Sequence, residues 1–279
     1  MDDQSFDRRI RLIINADDFG ISHGANRAIL KAHKEGILRS ASLMVNGDAA
    51  NNAVAIAQQN PTLAVGLHLT LVCGKSTLKP SEIIGVVNQR FEFDASPVRA
   101  GMRYFFNSDL DTYLKQEIDA QFREYRTAGL ELDHVNGHLH FHLHPTIFNH
   151  IKRHYQVWGI KAMRLTREPL LTNLRLAFGS YFYRFSHDFI FDRLALRAQP
   201  AFQRRGIKHA EFTFGLLQNG KMTEKYLVAL LENLFPGTFE IFFHPDEDEH
   251  AHELEALLSP KVREIIQQRN IELIRYQDL

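Results

Sequence analysis

Two adjacent carboxylates close an apolar run near the start of the chain, in Asn15-Ala16-Asp17-Asp18-Phe19-Gly20. Burying charge is costly without a partner, so core packing explains the pair poorly. A metal ion is one such partner: one Asp can ligate while its neighbour stays free as a base. Adjacent strand residues point to opposite faces, so a turn beginning here must bring both to one rim. Gly20 suits that turn. Taken alone, Asp-Asp before Gly is also an ordinary loop.

Three histidine sites change that balance. His68 lies inside the apolar run Gly66-Leu67-His68-Leu69-Thr70-Leu71. A lone histidine there could be a hydrogen-bonded core residue. Further on, His138, His140, His142 and His144 alternate with other residues before Pro145. If that segment is extended, all four share one face, and the outer two are roughly 20 Å apart at about 3.3 Å per residue. They cannot all bind one ion, whose nitrogen ligands lie at about 2.0–2.1 Å. One or two would ligate, and the others would orient ligands or touch substrate. His244 ends the apolar run Phe239-Glu240-Ile241-Phe242-Phe243, the place from which barrel residues reach an active face. It is a candidate general acid for a leaving amine. The acidic stretch Asp246-Glu247-Asp248-Glu249-His250 reads as a solvated loop. Carboxylate plus imidazole without thiolate suits one divalent ion, zinc or another transition metal, with magnesium less natural beside two histidines.

The elements that must position these residues alternate in type. Strands are predicted at 11–16, 40–45, 63–71, 132–137, 160–165, 209–214, 239–243 and 271–276. Helices are predicted between several of them. One follows Ser22 as its cap, with Ala25, Ala28, Ile29 and Ala32 at helical spacing; another spans 110–128. Repeated βα alternation predicts an α/β fold with a parallel sheet, here a distorted TIM-like (β/α) barrel. No internal repeat or flexible linker divides residues 1–279, so one domain is expected. Residues 170–205 interrupt the rhythm with Phe178, Tyr181, Phe182, Tyr183, Phe185, Phe189 and Phe191 among arginines. They read as a helical, aromatic-rich insertion that either packs on the barrel or offers a lid or apolar binding surface.

Composition narrows the function class. Lys+Arg and Asp+Glu balance at 33 each, so no global field points to nucleic acid. The single cysteine, Cys73, excludes an internal disulfide framework and a cysteine zinc cluster, and fits a reducing compartment. Met1-Asp2-Asp3-Gln4 lacks the basic start and apolar run of a secretory leader, so a cytoplasmic location is expected.

At these residues the chain resembles the YdjC-type carbohydrate deacetylases. The matching pieces are Asn15–Gly20, Ser40–Gly47, Gly66–Leu69, the His138–Pro145 run and Phe243–Pro245, in order over nearly the whole length. Arg99–Phe106, His138–Pro145 and Gly215–Thr223 are similar to the branch associated with hopanoid biosynthesis. The resemblance implies a distorted βα barrel and removal of an N-acetyl group from an acetylglucosamine unit. It implies that Asp18, His68 and His138 hold the metal and that Asp17 is the base. His138 rather than His140 follows from aligning the run on its closing proline. His140 and His142 then support ligands or touch substrate. One departure stands at Asn136-Gly137, where many relatives carry an Asp-Ser pair; Asn136 cannot act as a carboxylate there. A glycolipid substrate, an N-acetylglucosaminyl hopanoid, would give the aromatic segment a purpose and imply peripheral contact with the inner membrane. The alternatives are a water-soluble chitooligosaccharide as substrate, a phosphoesterase on a similar barrel, and a non-enzymatic lipid-binding barrel. Relatives also suggest a homodimer.

Overall fold

The computed structural model describes residues 9–279. Seven parallel strands build one curled sheet: β1 (Ile10–Phe19), β2 (Ser40–Leu43), β3 (Ala64–Leu69), β4 (Val135–Gly137), β5 (Phe212–Phe214), β6 (Gly237–Phe243) and β7 (Ile271–Ile274). Their order is β4-β3-β2-β1-β6-β5, with β7 also paired to β1. The strands are near-continuous apolar runs because parallel sheets are covered on both faces. Leu12, Ile14, Leu67, Phe239 and Ile241 are all fully buried.

Among the described residues, ten α-helices connect and cover the strands: α1 (His23–Glu35), α2 (Ala50–Gln59), α3 (Pro97–Phe106), α4 (Asp111–Thr127), α5 (Pro145–Trp158), α6 (Leu170–Leu176), α7 (Tyr181–Arg205), α8 (Glu224–Asn233), α9 (Ala251–Leu258) and α10 (Pro260–Gln268). Ser22 caps α1, its hydroxyl accepting from the Ala25 amide at 2.9 Å, and Ala25, Ala28, Ile29 and Ala32 form its buried face. The aromatic stretch expected to be helical forms α6 and α7.

The architecture is an α/β half-barrel. Residues 160–165, expected as a strand, join the sheet only through isolated bridges, Val135 to Met163 and Ala162 to Lys208. The segment bonds alternately to both neighbours: Val135 N–H reaches Ala162 O, Arg164 N–H reaches Val135 O, and Met163 N–H reaches Lys208 O. No two consecutive rungs form on either side, so a regular strand does not develop.

The histidine run also departs from expectation. Extended pairing stops at Gly137, and residues 138–143 form two short 3-10 pieces split by a kink, where Leu139 and His140 take φ 49° and 59°. The four histidines therefore do not line one face. Pro145 sits in the first turn of α5, where its missing N–H costs nothing.

Candidate functional site

Every residue singled out at a strand end does lie at the carboxyl rim of the sheet, where α/β folds place their ligands. Asp17 and Asp18 reach it by a route the sequence did not suggest. β1 continues through them to Phe19, but its register with β2 breaks between Ala16 and Phe19. Asp18 adopts the left-handed region at φ 60°. That bulge, rather than a turn at Gly20, turns both carboxylates to one side. Gly20 is still required: its φ is 101°, and a Cβ there would lie 2.9 Å from the Met44 carbonyl oxygen.

Asp18, His68 and His138 converge. Their candidate ligand atoms lie within 4.8 Å of one another. Asp18 Oδ1 is 3.1 Å from His68 Nε2 and 2.9 Å from His138 Nδ1. The two imidazole rings meet edge to face, 5.6 Å apart. Burial would raise the Asp18 carboxyl, but His138 and His68 outweigh it and hold it well below the usual range. Burial would lower His138, but Asp18 raises it above its ordinary value. Two ring nitrogens aimed at one carboxylate oxygen make a donor set that fits a divalent ion such as zinc.

Asp17 lies beside this group and is almost wholly enclosed. Arg164 grips it with Nη1 to Oδ2 at 2.6 Å and Nη2 to Oδ1 at 3.0 Å. Asn15 and Asn136 each donate to Oδ1 at 2.8 Å. Burial alone would raise this carboxyl, yet the Arg164 charge overcomes it and keeps Asp17 ionised far below the carboxylate range. Arg164 is itself fully buried and bonds a second carboxylate, Glu240, at 2.7 Å, while its guanidinium lies 4.3 Å from the Phe242 ring centre. Tyr276 donates to the other oxygen of Glu240.

Arg164 and Glu240 lie outside the motifs visible in the sequence. The available signal was a basic residue at the apolar end of 160–165, a run that also holds Lys161, and the single acidic residue inside the apolar run 239–243. Such charges need a partner, and each was the other's.

The remaining expected residues separate. His244 lines the same cavity, follows β6, and packs edge to face on Phe242 at 5.7 Å. His140 also lines it, with Nδ1 3.3 Å from the Thr166 hydroxyl; burial, then the Arg164 charge, keeps it neutral. His142 points elsewhere. Its Nε2 donates to the Arg164 carbonyl at 3.1 Å, and burial pushes it down to about 3. It therefore braces the backbone of Arg164. Asn136 touches Asp17 and also accepts from His68 Nδ1 at 2.7 Å.

The cavity holds about 590 Å³. It is lined by Asp17, Asp18, His68 and His138, by an apolar stretch that includes Tyr183, Ile190 and Phe191 of α7 and Val98 of α3, and by polar residues such as Asp246 and Glu249. A lining that is part polar and part apolar suits an amphiphilic ligand.

The chain matches the family described as YdjC-like protein over residues 11–268. It is 38% identical to a carbohydrate deacetylase of Brevibacillus brevis over 138 residues, which is 50% of this chain and 52% of that relative. The chain thus spans about half of that relative's length. A carbohydrate deacetylase of Thermoanaerobacter pseudethanolicus is 27% identical over 283 residues, covering 96% of this chain and 98% of the relative. Among solved structures, a protein of Enterococcus faecalis proposed to cleave cellobiose phosphate superposes with a TM-score of 0.71 at 19% identity, covering 97% of this chain and 98% of that one. At that identity the likeness speaks for the fold.

Proposed function

The chain belongs to the YdjC-like protein family, and on that premise we propose that it is a metal-dependent carbohydrate deacetylase that removes an N-acetyl group from an acetylglucosamine-containing substrate. The observation that carries this reading is the convergence of Asp18, His68 and His138 beside the buried, Arg164-paired carboxylate of Asp17. Asp18, His68 and His138 would hold one divalent ion, zinc or magnesium, and the ion would polarise the amide carbonyl and acidify a water molecule.

The chain's own residues then divide the work. Asp17 accepts the proton of the attacking water. Its Oδ1 already takes three donors, whereas Oδ2 takes only Arg164 Nη1, so Oδ2 is the oxygen with a free lone pair. Arg164 fixes the carboxylate's direction. His244, which lines the same cavity, delivers a proton to the departing amine. His140, neutral and pocket-facing, contacts the sugar.

We read the substrate further as a glycolipid, an N-acetylglucosaminyl hopanoid, with a chitooligosaccharide as the alternative. The branch resemblance at Arg99–Phe106 and Gly215–Thr223 supports this, as does the apolar lining from α7. The irregular segment 160–165 would be the distorted arc of a TIM-like barrel, and 170–205 its insertion.

Acetate release tests the proposal. With zinc or magnesium supplied, the wild type should release acetate from an acetylglucosaminyl lipid faster than from a soluble chitooligosaccharide, and His68→Ala should lose both metal and turnover. Failure of the metal-loaded wild type on both substrates would sink the deacetylase reading. A His68→Ala variant with full metal content and activity would overturn the ligand set.

A further inference from the structure

Beneath the rim, a line of polar side chains runs through the sheet interior where apolar packing would be expected. Asp133, His134, Ser42 and Asn136 are all buried, and of them only Asn136, through Asp17 and His68, touches the residues of the reaction just described. We propose that they form a one-way hydrogen-bond chain whose purpose is to fix which nitrogen of His68 carries the proton. The proposal rests on the reading of His68 as a metal ligand. It names Asn136, Ser42, His134 and Asp133 as positioning residues.

The direction of each bond follows from chemistry. Asn136 Nδ2 lies 2.8 Å from Asp17 Oδ1 and 2.9 Å from Ser42 Oγ. An ionised carboxylate only accepts, so that atom must be the amide nitrogen and both of its hydrogens are committed. Asn136 Oδ1 is therefore the atom that meets His68 Nδ1 at 2.7 Å. It only accepts, so His68 carries its proton on Nδ1. The lone pair is left on Nε2, which faces Asp18 Oδ1 at 3.1 Å. In neutral His68 two acceptors then confront each other, an arrangement that a cation relieves.

The chain behind Asn136 holds it in that sense. Ser42 Oγ accepts from both Asn136 and Asn15 Nδ2, each at 2.9 Å, which fills its two lone pairs. Its hydrogen must leave toward His134 Nε2, also at 2.9 Å. His134 then carries its proton on Nδ1 and donates it to Asp133 Oδ2 at 2.9 Å. Asp133 Oδ1 is held by the Gln277 backbone amide at 3.1 Å. Space for the His134 ring is built in. It stacks on Tyr276 with centres 4.3 Å apart, and a Cβ on Gly66 would approach it to 2.5 Å.

The first test is a two-bond nitrogen–proton correlation spectrum of the full chain stripped of metal, with peaks assigned from His68→Gln and His134→Gln. Both rings should be the Nδ1–H tautomer. An Nε2–H tautomer at either ring in the wild type overturns the proposal. The second test is calorimetric titration with zinc alone. Asn136→Leu should weaken binding about 10- to 100-fold, the range for residues supporting a ligand imidazole. Asn136→Asp, which keeps an acceptor for His68, should recover most of that loss; unaltered affinity in Asn136→Leu would refute the assignment. His134→Phe keeps the stack on Tyr276 but removes the Ser42 acceptor. It should weaken zinc several-fold and let His68 populate the Nε2–H form. No change in either quantity would overturn the chain beyond Asn136. A wild type with the expected tautomers that binds no zinc would instead refute the metal reading of the site.

Discussion

Asp17 is a carboxylate with more stabilisation than an ordinary base carries. Arg164, Asn15 and Asn136 supply four hydrogen bonds, so its charge is fixed and its affinity for a proton is low. In the proposed role of base it would take a proton only from an acidified water, which a metal held by the adjacent carboxylate–imidazole set would provide. The cost of this arrangement sits on Arg164. It is shared between Asp17 and Glu240 in a fully buried triad, and breaking such a triad leaves charge without compensation. Arg164→Met should therefore lose about 3–5 kcal/mol of stability, read from urea unfolding. Adding Glu240→Gln should return part of that loss by neutralising one of the two stranded carboxylates. A double variant no more stable than Arg164→Met would mean that Glu240 does not depend on Arg164.

At the scale of elements, the loop after β5 is pinned by one carboxyl. Glu168 Oε2 accepts the backbone amides of Gly215 at 3.1 Å and Leu217 at 2.9 Å, and Oε1 accepts from Asn173 of α6 at 2.8 Å. Burial nevertheless pushes Glu168 up to about 7. An unfolded glutamate titrates near about 4.3, so between these values the folded chain holds a proton that the unfolded chain has lost. Stability must then fall as pH rises through that window and level off above it. The total drop is about 3–4 kcal/mol at roughly 1.4 kcal/mol per pH unit. Glu168→Gln should flatten the wild-type slope across that window in pH-dependent unfolding; an unchanged slope would show that Glu168 titrates normally. The regular elements were legible from sequence because they are regular. β1, β3, β6 and α1 follow from apolar runs, a capping serine and helical spacing. The turn at 138–143 was not. Alternating apolar and histidine residues imitate a strand, and no glycine or asparagine stands at Leu139 or His140 to announce the positive φ values. Likewise, adjacent aspartates marked the site, but the bulge that aims them is held by tertiary bonds and leaves no local signature.

On the whole molecule, charge and apolar surface are distributed differently. Formal net charge is +0, so long-range attraction to an anionic surface is absent. Much of the apolar exposure lies on α7, the turn before it, and α3, and both helices also contribute residues to the cavity. Phe178 and Phe182 are each 89% exposed, and Phe185 and Phe189 continue the stripe along α7. For its part, α3 exposes Val98, Met102 and Phe106. Among the described residues no helix is long and apolar enough to cross a membrane. Surface contact is the remaining way for this stripe to meet lipid, and fully burying one phenylalanine contributes about 1.5–3 kcal/mol. Two such residues are enough to decide whether a neutral protein partitions at all. The chain should therefore float with vesicles of neutral lipid, and flotation should be insensitive to ionic strength because charge does not drive it. Phe182→Ser combined with Phe189→Ser should abolish flotation while leaving acetate release from a soluble chitooligosaccharide unchanged, since neither side chain lines the cavity. Flotation that disappears in salt would assign the contact to local arginines, and a wild type that stays with the soluble fraction would rule out membrane contact by this face.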